Sequence, residues 1–275
     1  MDIAPGSDLS GRDLRERDLR DTDLRGTLLR GADLRGANLR GADLRESDLT
    51  GARLDGARLQ IARMAGAVLT DAGLTGASLN RADLHAAVLT GADLSMAQMA
   101  EARLHQATMR NVRLSGATAH RSDLAAADLT GATLIGTTLT QARLHETRLT
   151  GADLWSADLT GADLTGADLL GTRLTDARVE GANFHDTCVL SVSGLPSGYV
   201  ALLPLPEGWR LTFHCWDGTP GDLRTLIARD DDWPEAQGDQ IGIRRPGLAA
   251  LADLADAWIA TQDNAVRAAA QRWRR

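Results

Sequence analysis

The chain has 275 residues, of which 30 are basic and 37 acidic, so its formal net charge at pH 7 is −7. This acidic balance argues against direct binding of nucleic acid, which calls for a basic surface. The two cysteines are too few for a disulfide framework. Because neither a signal peptide nor an apolar run long enough to cross a membrane is present, the sequence predicts a cytoplasmic protein without membrane contact.

Residues 9–189 follow a repeat of five. Every residue there whose number ends in 4 or 9, called central below, is apolar, and 30 of these 37 positions hold Leu. Between Ala32 and Ala182 a small residue stands two positions before each central residue, and it is Ala in 25 of these 31 units. A typical unit reads Ala162-Asp163-Leu164-Thr165-Gly166.

A period of five fits neither an α-helix nor a continuous strand. On a helix, five residues turn the chain by about 500°, which scatters the Leu side chains around every face. On a strand, an odd period sends each Leu to the side opposite the previous one. All the Leu side chains can be buried only if the chain bends once per unit, so that four short sides close a square coil. Gly at about half of the bends suits a type II turn, whose third residue needs a positive φ.

The A(D/N)LxG unit resembles that of the pentapeptide-repeat proteins over about residues 7–190. The resemblance implies an all-β solenoid, a right-handed quadrilateral parallel β-helix of about nine coils. It also implies a function, because the sequence resembles the gyrase-interacting, quinolone-resistance-type members of this family. These mimic duplex DNA, occupy the DNA-binding saddle of DNA gyrase or topoisomerase IV, and protect these enzymes from quinolones.

The composition changes at about Leu190, beyond which lie five of the six Trp and six of the seven Pro. We therefore predict an N-terminal plug (1–6), the repeat (7–190) and a small α+β capping or interaction domain (191–275). In the last segment we expect a strand over 209–216, a helix from Pro220 to about Ala228 with Thr219 as its N-cap, and a second helix from Pro246. The tail Trp residues form either its core or an interaction surface: Trp209, Trp216, Trp233, Trp258 and Trp273.

Charged residues dominate the predicted surface. In the first two coils Arg follows nearly every Leu and Asp usually precedes it, which predicts cross-coil ion pairs on a solvated surface. Further along, residues 121–170 hold seven acidic residues against three Arg. The carboxylates predicted to imitate DNA phosphates belong to Asp123, Asp128, Asp153, Asp158, Asp163 and Asp168.

Histidines recur on one face, where His85, His105, His145 and His185 each follow a central residue. The first two fall in successive coils, where stacked imidazoles could bind a metal ion or titrate together near neutral pH. A solvated column is the other interpretation, and we predict neither a metal site nor a cofactor.

Two functions fit these patterns. The first is a non-enzymatic protein-interaction rod that acts as a DNA mimic, binds DNA gyrase or topoisomerase IV, and modulates it or protects it from topoisomerase poisons. The second is a scaffold or adaptor whose C-terminal domain selects a protein partner. Either allows a homodimer through a rod end or the C-terminal domain. We predict no catalytic residues, because an interior filled by Leu and Ala leaves no pocket.

Overall fold

Most of the chain forms a rod of stacked square coils. The computed structural model describes residues 4–169, 172–174, 177–179, 181–183, 187, 190–195, 198–205, 208–213, 216–229, 248–249, 252–253 and 255–256. Parallel β-bridges join each residue that precedes a central residue to the residue twenty positions on, from Asp8↔Leu28 to Asp163↔Asn183. One coil therefore contains four of the five-residue units, which confirms the predicted solenoid.

Backbone hydrogen bonds close the corners and join the coils. In a typical unit the N–H of Ala97 donates to the carbonyl of Leu94 (3.0 Å), and the N–H of Leu94 donates to the carbonyl of Arg113 in the next coil (2.7 Å). Met96, the corner residue between them, has a φ of 60°. Between Gly6 and Gly181 every described corner residue has a positive φ, and these are 18 glycines and 16 other residues. The predicted type II turns require this conformation.

The core is a stack of Leu and Ala side chains. The described central residues from Leu9 to Val179 are at most 5% exposed. The small residue two positions before each of them is buried from Thr27 to Thr172. Six of these small residues carry a hydroxyl, and each hydroxyl donates to a backbone carbonyl at 2.6–3.1 Å: Thr27, Ser47, Ser122, Thr137, Thr147 and Thr172. The polar atoms of the interior are thereby satisfied.

The rod has four faces, which we number by the central residue of the first coil. Face 1 begins at Leu9, face 2 at Leu14, face 3 at Leu19 and face 4 at Leu24, and each continues at every twentieth residue. The residues directly before and after a central residue are mostly exposed or half-buried. They form two columns of side chains on each face.

Polar side chains lie at the N-terminal end of the rod. In the first coil the small position holds Ser7, Arg12, Arg17 and Thr22 instead of Ala, and both Arg residues are exposed. Because the same position is fully buried in later coils, the exposure of these side chains marks the end of the described stack of coils. Charges there oppose the end-to-end stacking that an open coil invites. The plug over residues 1–6 stays a prediction.

Beyond the rod the chain forms an antiparallel sheet and a helix. The strands are β1 (Leu190–Leu195), β2 (Gly198–Leu205), β3 (Gly208–Phe213) and β4 (Trp216–Gly218), and they pair in sequence order. Helix α1 (Pro220–Ile227) follows. No described helix has the length and apolar character needed to span a membrane.

The predicted single strand over 209–216 is wrong, because the chain reverses within it. Phe213 pairs with Trp216, so that β3 and β4 form a hairpin. Only His214 and Cys215 separate the two strands in sequence, and neither is a Gly, Asn or Asp that would signal a tight turn. Strands β1 and β2 were not predicted.

Helix α1 confirms its prediction. Thr219 is the N-cap, its hydroxyl accepts from the N–H of Asp222 (3.1 Å), and the carboxylate of Asp222 accepts from the N–H of Thr219 (2.8 Å). For the second helix, residues 248–249, 252–253 and 255–256 are helical, while Pro246 lies outside the described residues. The boundaries 1–6, 7–190 and 191–275 stay predictions.

Substitution of Gly91 tests the corner geometry. Gly91 has a φ of 70°, and an added Cβ would collide with Oδ1 of Asp71 in the preceding coil, whereas at Gly76 (φ 64°) nothing lies within 4 Å of the added atom. We expect Gly76→Ala to lower the free energy of unfolding by about 1 kcal/mol because of the left-handed conformation. Gly91→Ala should cost about the same, as measured by urea unfolding, because Oδ1 is the end of a flexible, exposed Asp71 side chain that can turn aside.

The variant Asp71→Ala supplies the control. In that background Gly91→Ala should cost no more than Gly76→Ala does in the wild-type chain. A cost at Gly91 that exceeds the cost at Gly76 and disappears with Asp71→Ala would show instead that the carboxylate cannot turn aside.

Candidate protein-binding faces of the rod

The six carboxylates predicted to imitate DNA do not share a surface. The stacking places them on all four faces, with two on face 4 (Asp123 and Asp163), two on face 1 (Asp128 and Asp168), one on face 2 (Asp153) and one on face 3 (Asp158). Members of a pair on one face are two coils apart. No face of the rod therefore carries a continuous row of these six carboxylates.

Arginines lie between and beside these carboxylates. Arg143 lies between Asp123 and Asp163 on face 4, and its Nη1 is 3.2 Å from Oδ2 of Asp123. Arg148 lies in the same way on face 1, with Nη1 3.7 Å from Oδ2 of Asp128. On face 2 the Nη1 of Arg173 is 3.4 Å from Oδ2 of Asp153. Much of the negative charge is thus offset locally.

These ion pairs belong to a wider pattern of cross-coil pairs, predicted from the sequence only for the first two coils, in which Arg follows Asp at a spacing of twenty residues. The same pairing recurs with N···O distances of 3.0–3.6 Å at Asp33–Arg53, Asp43–Arg63, Asp83–Arg103 and Asp93–Arg113. The signal is present in the sequence, but it can be found only by comparing residues one whole coil apart. Each exposed pair contributes about 0–1 kcal/mol.

The mixed-sign belt of the first two coils forms ion pairs mainly within single units. Arg15 binds Asp13 through two bonds, Nε to Oδ1 (2.9 Å) and Nη2 to Oδ2 (2.7 Å). Asp23 and Arg25 repeat this arrangement, and the hydrogen bonds from Arg25 lower the pKa of Asp23 to about 2. The expected cross-coil pairing is present at three arginines of this belt, whose Nε atoms lie 2.6 Å (Arg30 to Asp48), 3.8 Å (Arg15 to Asp33) and 4.0 Å (Arg25 to Asp43) from a carboxylate oxygen of the next coil. The other short contacts lie within single units, because two residues flanking one central Leu already lie side by side on the same face.

Faces 1 and 3 differ from faces 2 and 4 in the middle of the rod. On face 3 the two columns hold no Asp, Glu or Arg from Gln60 to Thr140. Amides and hydroxyls instead bond across the coils, as Nε2 of Gln60 does to the hydroxyl of Ser78 (2.8 Å). Face 1 carries the half-buried Val68 and Val88 in its central section. Charge is therefore concentrated on two opposite faces.

Face 2 also holds the single Trp of the repeat. Trp155 is 39% exposed, and the guanidinium carbon of Arg173 lies 5.5 Å from the centre of its ring. The half-buried Ile135 occupies the same column one coil earlier. Met96, on the adjoining corner, is 65% exposed. Aromatic, Met and Arg side chains of this kind are enriched at protein interfaces.

His85 and His105 stack on face 4, with ring centres 4.3 Å apart and planes inclined by 19°. The Nδ1 atoms of both are buried and have no hydrogen-bond partner among the described residues. Oδ2 of Asp123 is 3.9 Å from Nδ1 of His105, which is too long for a hydrogen bond. Burial, and then the neighbouring ring of His85, lowers the pKa of His105.

The other members of the histidine column do not join this pair. His145 lies two coils further along and His185 lies outside the described residues. Within the described part of the chain, no group of three or more His, Cys, Asp or Glu side chains is arranged to hold a metal ion.

Two of the five tail tryptophans can be placed. Trp209 lies in β3 opposite Pro204, and Trp216 lies in β4 opposite Phe213. Trp233, Trp258 and Trp273 lie outside the described residues. The helical residues beyond α1 are tied to it by Arg224, whose Nη2 is 2.8 Å from Oδ1 of Asp253 and 2.6 Å from Oδ2 of Asp256.

Coils of four five-residue units around a core of Leu and Ala define a class of solenoid. A family model built on the same five-residue repeat matches the chain. The chain belongs to the pentapeptide-repeat family, whose model of pentapeptide repeats matches in eight copies over residues 7–46, 47–85, 67–106, 97–134, 120–155 and 156–188. Members of this family are structural or interaction rods, and their coils wind as a right-handed β-helix.

Several solved structures are similar to this chain. HetL, a pentapeptide-repeat protein involved in heterocyst differentiation regulation in the cyanobacterium Nostoc sp. strain PCC 7120, is 35% identical over 66% of this chain and 84% of its own, with a TM-score of 0.41. A trypsin-treated variant of QnrB1, a plasmid-mediated fluoroquinolone resistance protein, is 18% identical over 66% of this chain and 88% of its own, with a TM-score of 0.34. No curated protein sequence matches significantly.

The His85–His105 stack should make stability depend on pH. A lowered pKa in the folded state means that the unfolded chain binds the proton more readily. The contribution of His105 is thus present above the unfolded pKa of about 6.5 and is lost as the pH falls through the folded value. We expect the midpoint of thermal unfolding to fall between about pH 7 and pH 5, and His105→Gln to reduce this fall.

The matched control is His145→Gln, which removes a histidine from the same column but leaves the stacked pair intact. It should retain the wild-type slope. A slope in His105→Gln that equals the wild-type slope would show that the stack does not titrate in this range.

Proposed function

We propose that the chain is a non-enzymatic rod that binds other proteins through the side-chain columns of its faces. The observation that supports this is the unbroken bridging of residue n to residue n+20 from Asp8 to Asn183. It places outward side chains on fixed lines about 4.8 Å apart. A rigid, regular surface of this kind orders no flexible chain on binding, which favours association.

A second candidate function is DNA mimicry directed at DNA gyrase or topoisomerase IV in the cytoplasm. It is favoured by one coil, in which the residue before every central Leu is acidic: Asp153, Asp158, Asp163 and Asp168. Four carboxylates around a rod would attract Arg and Lys that otherwise hold DNA phosphates. The arginines of the adjoining coils weaken this attraction. We therefore rank DNA mimicry below a more general protein-binding role.

A gyrase assay separates the two candidates. We expect a DNA mimic to reduce supercoiling by DNA gyrase at micromolar concentration, or to restore it in the presence of a quinolone. The variant in which Asp153, Asp158, Asp163 and Asp168 are all Asn should lose the effect, because it removes four negative charges without changing the shape of the side chains.

The first coil offers a matched control, since Asp8, Asp13, Asp18 and Asp23 occupy the corresponding positions there. Replacing these four by Asn removes the same number of charges from the opposite end of the rod. Loss of the effect in both variants would point to net charge instead of a local surface. No effect of the wild-type chain at any concentration would eliminate the gyrase proposal.

If the chain has no effect on gyrase, the protein-binding rod is a scaffold or adaptor. The C-terminal segment would then select the partner, and the rod would set the distance between what the two ends bind. In this role, replacement of the four Asp residues by Asn leaves partner binding unchanged.

A further inference from the structure

The sequence of charges along face 2 is complementary to its own reverse. The column that precedes the central residues runs Asp93, Arg113, Thr133, Asp153 and Arg173 in five successive coils. When the column is laid against a reversed copy of itself, each Asp lies opposite an Arg and Thr133 lies opposite Thr133. This antisymmetry about Thr133 means that two copies of the face can oppose each other with opposite charges in register.

We propose that face 2 is the interface of an antiparallel homodimer, whose two-fold axis passes between the copies at the level of Thr133. Such an axis turns the partner end for end and keeps each column opposite its own copy, as an isologous contact requires. Asp93 then opposes Arg173 of the partner subunit, and Arg113 opposes Asp153 of the partner subunit.

The neighbouring column supplies the apolar centre of this interface. Ile135 lies level with the axis and opposes its own copy. The exposed Trp155 opposes the small Ser115, and on the adjoining corner it opposes Gly116, over which the Met96 side chain lies. At the level of the axis the corners on both sides of the face are Gly131 and Gly136. Nothing lies within 4 Å of a Cβ added at Gly136, whereas the side-chain oxygen of Asn111 lies over Gly131.

Complementary charge alone does not identify the dimer interface, as face 4 shows. Its column alternates between Asp and Arg from Asp43 to Arg143, so that these six positions too can oppose their reverse with opposite charges. However, it has a charged residue in every coil and no apolar side chain at its centre. Specific interfaces lose charge towards the core and keep it at the rim. Face 2 has that arrangement at its centre, because Thr133 and Ile135 lie between the charged pairs on either side of the axis, and Trp155 adds apolar surface beside Asp153.

The interface is small, which sets the expected strength of the dimer. Five coils extend over about 20 Å along the rod. The buried area then falls in the class below about 1,200 Å², which is typical of weak and reversible complexes. We expect association at concentrations of about 10–1,000 µM.

Sedimentation equilibrium of the full chain tests this dimer. The weight-average mass should rise from 29.2 kDa towards twice that value as concentration increases. A mass that stays at the monomer value up to about 1 mM would overturn the proposal.

Charge reversal then locates the contact. In Arg113→Glu, an acidic residue opposes Asp153 of the partner subunit twice per dimer, and we expect the dissociation constant to rise about tenfold or more. Arg103→Glu on face 4 is the matched control, since Arg103 forms the same kind of pair with Asp83 within one chain (3.6 Å). It should leave dimerisation unchanged. An unchanged dissociation constant in Arg113→Glu would overturn the assignment to face 2.

A charge swap separates contacts between copies from contacts within one copy. In the double variant Arg113→Glu with Asp153→Arg, each rod has like charges side by side, but the two substituted side chains again face opposite charges across the interface. We expect the double variant to dimerise at least as well as the wild-type chain, although its thermal midpoint falls. A double variant that dimerises worse than either single variant would show that these residues act only within the chain.

Discussion

The rod depends on a backbone corner of positive φ after every fifth residue. At each corner the chain turns by one side of the square, so that the next Leu again points inward. Sixteen of the described corners hold a residue other than Gly, and each such residue is held in a conformation that costs roughly 1–2 kcal/mol. Two terms offset this cost: the hydrogen bonds that join each coil to the next, and the burial of one Leu per unit.

The same constraint turns the surface into a lattice. The face on which a side chain lies depends only on its number modulo twenty, so that residues far apart in sequence become neighbours. This is why Arg143 neutralises Asp123 and why the net charge of the chain says little about any one face. It also explains how a rod with one repeating core can carry four different surfaces, two of them charged and two nearly uncharged in the middle.

The fold of the repeat could be predicted because its period is incompatible with every ordinary element except a coil with four bends. The capping box at Thr219 could be predicted because it depends on residues close in sequence. The surface is less accessible to such reasoning. The pairing of Asp93 with Arg113 is invisible until the coil length is known, and the exposure of Trp155 depends on which neighbours stack beside it.

In the C-terminal segment, most elements could not be predicted from the sequence. Its strands have no repeat, and Pro204 lies within β2, where a sequence pattern argues against a strand. The sequence between β3 and β4, His214 and Cys215, has no turn preference, so the pairing of Phe213 with Trp216 had no local signal. Long-range pairing decided these elements, and local propensity did not.

The core repeats every five residues and each face every twenty, which limits how such a chain can change in length. Loss or gain of one five-residue unit keeps a Leu at every fifth position and leaves the interior filled. It nevertheless moves every later side chain to the next face, so that a unit lost or gained between Asp93 and Arg113 would separate that ion pair. Evolution can therefore lengthen or shorten the core in steps of five, but it can conserve a binding face only in steps of twenty.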